Sequence, residues 1–239
     1  MPTIYDNIKE HLIEGLSEVL EVSHRADFCV GYFNLRGWKK VAGKVEKWNG
    51  EEDNQCRLLV GMHKAPENVI RDYFNKVEQN TIDTQTAILL KKRLAKEFKE
   101  QLMVGIPTEE DEQGLRRLSK QLKAKKLVVK LFLRYPLHAK LYLLFRHDKV
   151  NPVNSFLGSS NLTLAGLANQ GELNVDIQEK DANHKLVNWF EERWEDKFCI
   201  DISVELAEII DTSRHPTIIP LIRFISKLPI IFPEKHVQD

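Results

Sequence analysis

Ile8, Leu12, Leu16, Val19 and Leu20 recur at helical spacing in residues 5–22, with Glu and Lys on the opposite face, which predicts an amphipathic helix. Ala26–Phe33 (A-D-F-C-V-G-Y-F) is a nearly continuous apolar run, as expected of a strand covered on both faces. Asn34 is placed to cap a helix carrying Leu35, Trp38, Val41, Val45 and Trp48. A polar turn, 49–54, precedes a second strand at Cys56–Gly61. Helices are expected over Pro66–Gln79 and Thr84–Met103, and from the break at Ile106–Glu110 to about Lys123. Strands follow at Leu127–Leu133, Ala139–Phe145, Ser155–Leu157 and Asn174–Ile177, then helices at Ala182–Lys197 and Val204–Thr212. Alternating helices and strands predict an α/β fold with a mixed, largely parallel sheet sandwiched between helices. The expected division is a domain over 1–200 and a segment, 201–239, holding the last helix and a proline-broken apolar tail. Such a tail needs a partner surface, either a second subunit or a following domain.

The 239 residues suffice for one sizeable core, and 42% apolar with 29% charged residues is ordinary for a globular chain. Net charge is zero, so any attraction for nucleic acid must be local. Residues 91–130 supply a candidate, with 12 Lys or Arg against 6 Asp or Glu. That excess reads equally as solvated helix faces or as a nucleic-acid-facing rim. No secretory leader or membrane-length apolar run is evident, and three scattered cysteines (Cys29, Cys56, Cys199) form neither a disulfide framework nor a zinc pattern. A reducing, cytoplasmic setting without membrane attachment is expected.

The chemistry concentrates between Leu137 and Asp176. His138 and Lys140 are two apart, so on an extended segment they share a face. An imidazole can attack phosphorus, and a neighbouring ammonium neutralises the non-bridging oxygens. Gly158-Ser159-Ser160-Asn161 follows the next strand, where hydroxyl, amide and free backbone N–H groups can hold an anion. Glu172 precedes the strand after that and is suited to orient the histidine by accepting its second ring N–H. His63 and Arg36, each just past a strand end, are candidate substrate contacts; the alternative for Arg36 is a solvated residue beside a helix cap.

His138-x-Lys140, then Gly158-Ser159-x-Asn161, then Glu172 resembles the motif of the phospholipase D superfamily, and most closely its single-motif bacterial nucleases. The stretch F-C-V-G-Y-F-N-L-R-G-W also resembles the domain that precedes helicase modules in bacterial restriction or defence proteins. The motif's Asp, after four intervening residues, falls at Phe145, which weakens a lipid-cleaving assignment more than a nuclease one. The resemblance implies a metal-independent, cofactor-free endonuclease acting on DNA. Its catalytic residues would be His138, Lys140, Asn161, Ser159 and Glu172, with Gly158, Ser160, Arg36 and His63 contacting substrate. Two motifs are needed and the chain has one, which implies a homodimer with its site at the interface, and a helicase or ATPase as a further partner. The alternative is a non-catalytic module of the same fold that binds nucleic acid and dimerises.

Overall fold

The computed structural model describes residues 2–62, 75, 84–102 and 108–212. Eight strands form one sheet: β1 (Ile4–Tyr5), β2 (Ser23–Val30), β3 (Cys56–Val60), β4 (Leu127–Phe132), β5 (Leu141–Arg146), β6 (Val153–Gly158), β7 (Asn174–Ile177) and β8 (Cys199–Asp201). Their order across the sheet is β1-β7-β6-β5-β2-β3-β4-β8. The helices are α1 (Leu12–Glu21), α2 (Leu35–Val45), α3 (Thr84–Leu102), α4 (Glu109–Lys123), α5 (Lys180–Trp194) and α6 (Ser203–Thr212), with a π-helical turn at Ala165–Asn169.

The sheet is mixed and flanked by helices, as expected, but it is less parallel than expected. Only β2–β3 and β3–β4 pair in parallel, and every other neighbouring pair is antiparallel. Helical crossovers join the parallel strands, whereas β5 and β6 are joined by a short turn that permits only antiparallel pairing. β2 is central, parallel to β3 on one side and antiparallel to β5 on the other. This arrangement brings the ends of β2, β3 and β6 to the same edge of the sheet as the starts of β5 and β7.

Alternation along the strands splits the core in two. Ala26, Phe28 and Val30 face a large cluster built with α1, α2, α3, α4 and α6. Cys29, Leu59, Leu141 and Leu143 face a smaller one whose helical side chains all come from α5. Between α5 and the sheet lies a buried ion network. Asp27 accepts two hydrogen bonds from Arg57, each 2.7 Å, and two from Arg25, at 2.7 and 3.3 Å. Both guanidinium groups also reach Glu191 on α5. Arg57 further lies over the rings of Phe190 and Trp194.

Three differences from the sequence reading have physical causes. The first helix begins at Leu12, not at residue 5, because Asp6 accepts the backbone N–H groups of Ile8, Lys9 and Glu10 and so diverts them from a helix. Asn7, at φ 58°, then accepts the N–H of Leu12 and donates to the carbonyls of Gly166 and Gln170. Ile8 is consequently exposed. β1 and β8 are short strands that pairing alone creates. A boundary after residue 200 divides β8 and cuts off α6, whose Leu206, Ala207 and Ile210 belong to the larger core. The packed body therefore continues to Thr212. The expected helix at Pro66–Gln79, save Asn75, and the apolar tail lie outside the described residues.

Removing the Asp27 carboxylate would leave Arg57 buried without its main partner, so Asp27→Ala is expected to cost about 3–5 kcal/mol of stability. Urea unfolding checks this; a loss under about 1 kcal/mol would mean that the network behaves like a surface pair.

Candidate functional site

The entry into β5 carries the first two candidate residues. His138 and Lys140 lie just before the strand rather than on it, in an extended segment held from both sides. Leu137 donates its N–H to the Gly61 carbonyl (3.0 Å), and Gly158 donates to the Lys140 carbonyl (3.2 Å). His138 is exposed, whereas Lys140 is buried. The Lys140 ammonium lies 2.7 and 3.0 Å from the two ring nitrogens of His138 and 3.0 Å from the His138 carbonyl oxygen. Burial lowers the Lys140 pKa below that of an ordinary lysine, and the Glu172 charge offsets part of that shift.

The turn after β6 brings Asn161 alongside. Its Oδ1 accepts the backbone N–H of Tyr32 at 2.9 Å. Because a backbone amide can only donate, this bond fixes which end of the Asn161 amide is which and leaves its NH2 as a donor with no partner among the described residues. Gly31, at the end of β2, is the meeting point. A Cβ there would stand 3.0 Å from the His138 ring and 3.2 Å from Asn161 Oδ1, so a bare backbone is what lets the two groups converge.

Ser159 donates its hydroxyl to the Glu172 carboxylate and accepts the Leu173 N–H at 3.0 Å. The Glu172 carboxylate is thus bonded to Ser159, not to the His138 ring as the sequence reading expected. Ser160 also departs from expectation. It is fully buried, its hydroxyl accepts from Asn174 (2.8 Å), and its carbonyl accepts from the Tyr142 hydroxyl (2.8 Å), so its side chain supports the turn and does not line a site. Nor are the backbone N–H groups of residues 158–160 free for an anion. They donate to Lys140, Leu173 and the Asn174 side chain. At Gly158 a Cβ would strike the Leu173 carbonyl at 2.2 Å, so this glycine serves close strand approach.

Arg36 lies 3.5 Å from Asp111, tied to the start of α4, and His63 lies outside the described residues. Among the described residues no cluster of three or more His, Cys, Asp or Glu is arranged to hold a metal, and no helix is long and apolar enough to cross a membrane. Tyr32, which the sequence reading noted as following the end of the first strand, is half-exposed with its ring 6.2 Å from that of His138 at 77°.

A family model described as "Cardiolipin synthase, PLD-like domain" matches residues 21–194, the greater part of the chain. The chain belongs to that family. Among solved structures, the PLD-like chain is similar to the phosphatidylserine synthase of Haemophilus influenzae Rd KW20 (TM-score 0.50, 15% identity), covering 95% of this chain and 44% of the synthase. It is also similar to NucT from Helicobacter pylori (TM-score 0.47, 10% identity; 84% of this chain, 98% of NucT). A third is the phospholipase D family member Nuc from Salmonella typhimurium (0.43, 11%; 84% and 98%). Comparison with curated proteins gave no match.

Where the family motif carries its Asp, this PLD-like domain has Phe145, covered by the Arg25 guanidinium 4.4 Å from the ring centre. Part of the basic stretch is also committed elsewhere. Lys123 pairs with Asp211, Lys126 and Arg117 approach Glu46, and Lys130 donates to the Trp194 carbonyl. α4 ends where β4 begins, so Lys120, Lys123, Lys125 and Lys126 lie toward the end of the sheet opposite the site.

An ammonium whose pKa burial depresses costs stability while it is charged, and that cost fades as the pH rises toward its ordinary value of 10.5. Lys140→Met is therefore expected to melt no lower than the wild type at neutral pH, with any gain shrinking at alkaline pH. Thermal unfolding across pH measures this, and a marked loss of stability at neutral pH would refute it.

Proposed function

We propose that this PLD-like domain is a metal-independent phosphodiesterase, an endonuclease cutting DNA through a phosphohistidine at a homodimer interface. The observation that carries this reading is the convergence of an exposed imidazole, a buried ammonium against it, and an amide with its donor end fixed outward. His138 supplies the nucleophile. A ring nitrogen attacks phosphorus, an N–P bond forms and one P–O ester bond breaks, with the proton for the leaving oxygen given by His138 of the second copy. Water, deprotonated by that second histidine, then cleaves the N–P bond. Lys140 and Asn161 neutralise and hold the non-bridging oxygens, with Ser159 and Glu172 supporting the turn that carries Asn161. This route needs no metal, because the imidazole itself is the nucleophile.

An apolar row supports the dimer. Leu141, Leu157, Val175 and Ile4 are partners in register across β5, β6, β7 and β1, and so lie side by side on one face. Leu141, in the α5-side cluster, is buried, but exposure rises to 38% at Leu157 and 60% at Ile4. This row reaches the Ser159–Glu172 turn, and a second copy packed on it would set two such sites close together. The resemblance of the β2 region to helicase-associated domains supports a place in a restriction or defence enzyme, with an ATPase as partner.

A second reading is a nucleic-acid-binding and dimerisation module without catalysis. Phe145 at the motif's Asp position, and Glu172 bonded to Ser159 instead of the His138 ring, favour it.

Incubating the protein with DNA in EDTA tests the first reading. Cleavage should occur, His138→Ala should abolish it, and acid quenching should trap a protein-bound phosphoryl group on the wild type. Binding without cleavage would establish the second reading instead. Sedimentation should show a dimer, and Leu157→Asp should shift it toward monomer; a wild type that is monomeric at assay concentration would remove the shared-site mechanism.

A further inference from the structure

From the placement of Tyr32 beside His138, we infer that Tyr32 is the specificity-determining residue of this site, the platform for a nucleobase next to the scissile phosphate. The inference rests on the nucleic-acid reading above and names the form of nucleic acid recognised, one whose bases are free of their stack.

β2 ends at Val30, and the two following aromatic residues have opposite fates. Phe33 is buried and stacks on Phe98, with ring centres 5.9 Å apart and planes 2° from parallel. Tyr32 points the other way and remains 41% exposed. Its ring stands nearly perpendicular to the His138 ring at 6.2 Å, and its hydroxyl has no hydrogen-bond partner among the described residues. Its backbone is fixed by the bond to Asn161.

A group attached to a phosphate at His138 would therefore meet an open aromatic face held in place at low entropic cost. Flat heterocycles suit such a face, because an aromatic side chain and a base stack whatever the base identity. An acyl chain gains nothing specific from it. A base inside a duplex is already sandwiched between its neighbours and must leave the stack to reach the ring. The predicted preference is thus for single strands, ends or loops.

Backbone and ring can be separated by mutation, because Tyr32→Ala keeps the N–H that orients Asn161. The experiment compares wild type, Tyr32→Phe, Tyr32→Leu and Tyr32→Ala in EDTA on a short single-stranded DNA and on the same strand made abasic throughout. Loss of the ring should lower kcat/KM on the normal strand by roughly 5- to 150-fold, leave the abasic strand within about twofold, and spare Tyr32→Phe. Tyr32→Leu keeps bulk without an aromatic face and should follow Tyr32→Ala. An equal fall on both strands, or no fall, overturns the inference while leaving the phosphodiesterase reading intact. A wild type that cuts neither strand overturns both.

Discussion

Asp27 is a carboxylate with no access to water in the central strand of the sheet, and the architecture on one face follows from satisfying it. Burying a charge is tolerable only when it is paired and fully hydrogen-bonded, so Arg57 on β3 and Arg25 on β2 converge on it. Two guanidinium groups on one carboxylate leave excess positive charge, which Glu191 balances from α5. α5 is thus held over the sheet by charge as well as by Phe190 and Trp194, and its cluster covers the reverse side of the strands that end at the site. The same network accounts for Phe145. Arg25 is its register partner on β2, and the guanidinium lies over the ring while Asp27, Glu191 and, at 3.6 Å, Asp53 supply the carboxylates. An aspartate at 145 would add a fourth carboxylate to a pair of arginines that already face three.

The sequence was most informative where a local rule had one outcome. Asn34 does cap α2, accepting from the Gly37 N–H. The apolar runs of β2, β3 and β4 are buried as their continuity implied, and Cys29 and Cys56 are buried free thiols. His138, Lys140 and Asn161 meet because each ends or begins a strand at one edge of the sheet. What could not be read depends on partners distant in sequence. Ser160 and Ser159 are adjacent and chemically alike, and only the position of Asn174, across the strand pair, makes one a buried brace and leaves the other exposed. Asn7 looks like loop but ties the start of α1 to the π-helical turn, about 160 residues away.

Charge gives the same lesson in a different form. An excess of cations over residues 91–130 suggests a surface for polyanions only if the side chains share a direction and lack partners. The helix that carries many of them runs away from the site, with its four acidic residues Glu109–Glu112 at the near end and its lysines at the far end. That orientation suits the α4 dipole, which favours anions at the helix start and cations at its end. In α4 the placement of the cations therefore suits the helix itself and sets its lysines away from the site.

Within the site, Lys140 is the residue whose placement makes sense only in relation to an anion. Among the described residues its ammonium touches an imidazole and a carbonyl but no carboxylate, while Glu172 acts on it through space and accepts its own hydrogen bond from Ser159. A structural lysine would have been satisfied by moving that carboxylate a short distance. On the proposed phosphodiesterase reading, a cation left buried and under-neutralised stores free energy that a phosphoryl group arriving at His138 would release. The release grows as negative charge accumulates on the non-bridging oxygens, because the surroundings are fixed and poorly solvated. Burial of Lys140, exposure of His138 and the pinned amide of Asn161 are thus one arrangement. On that reading each is unfavourable or idle in the free protein, and each becomes favourable against the same phosphoryl anion.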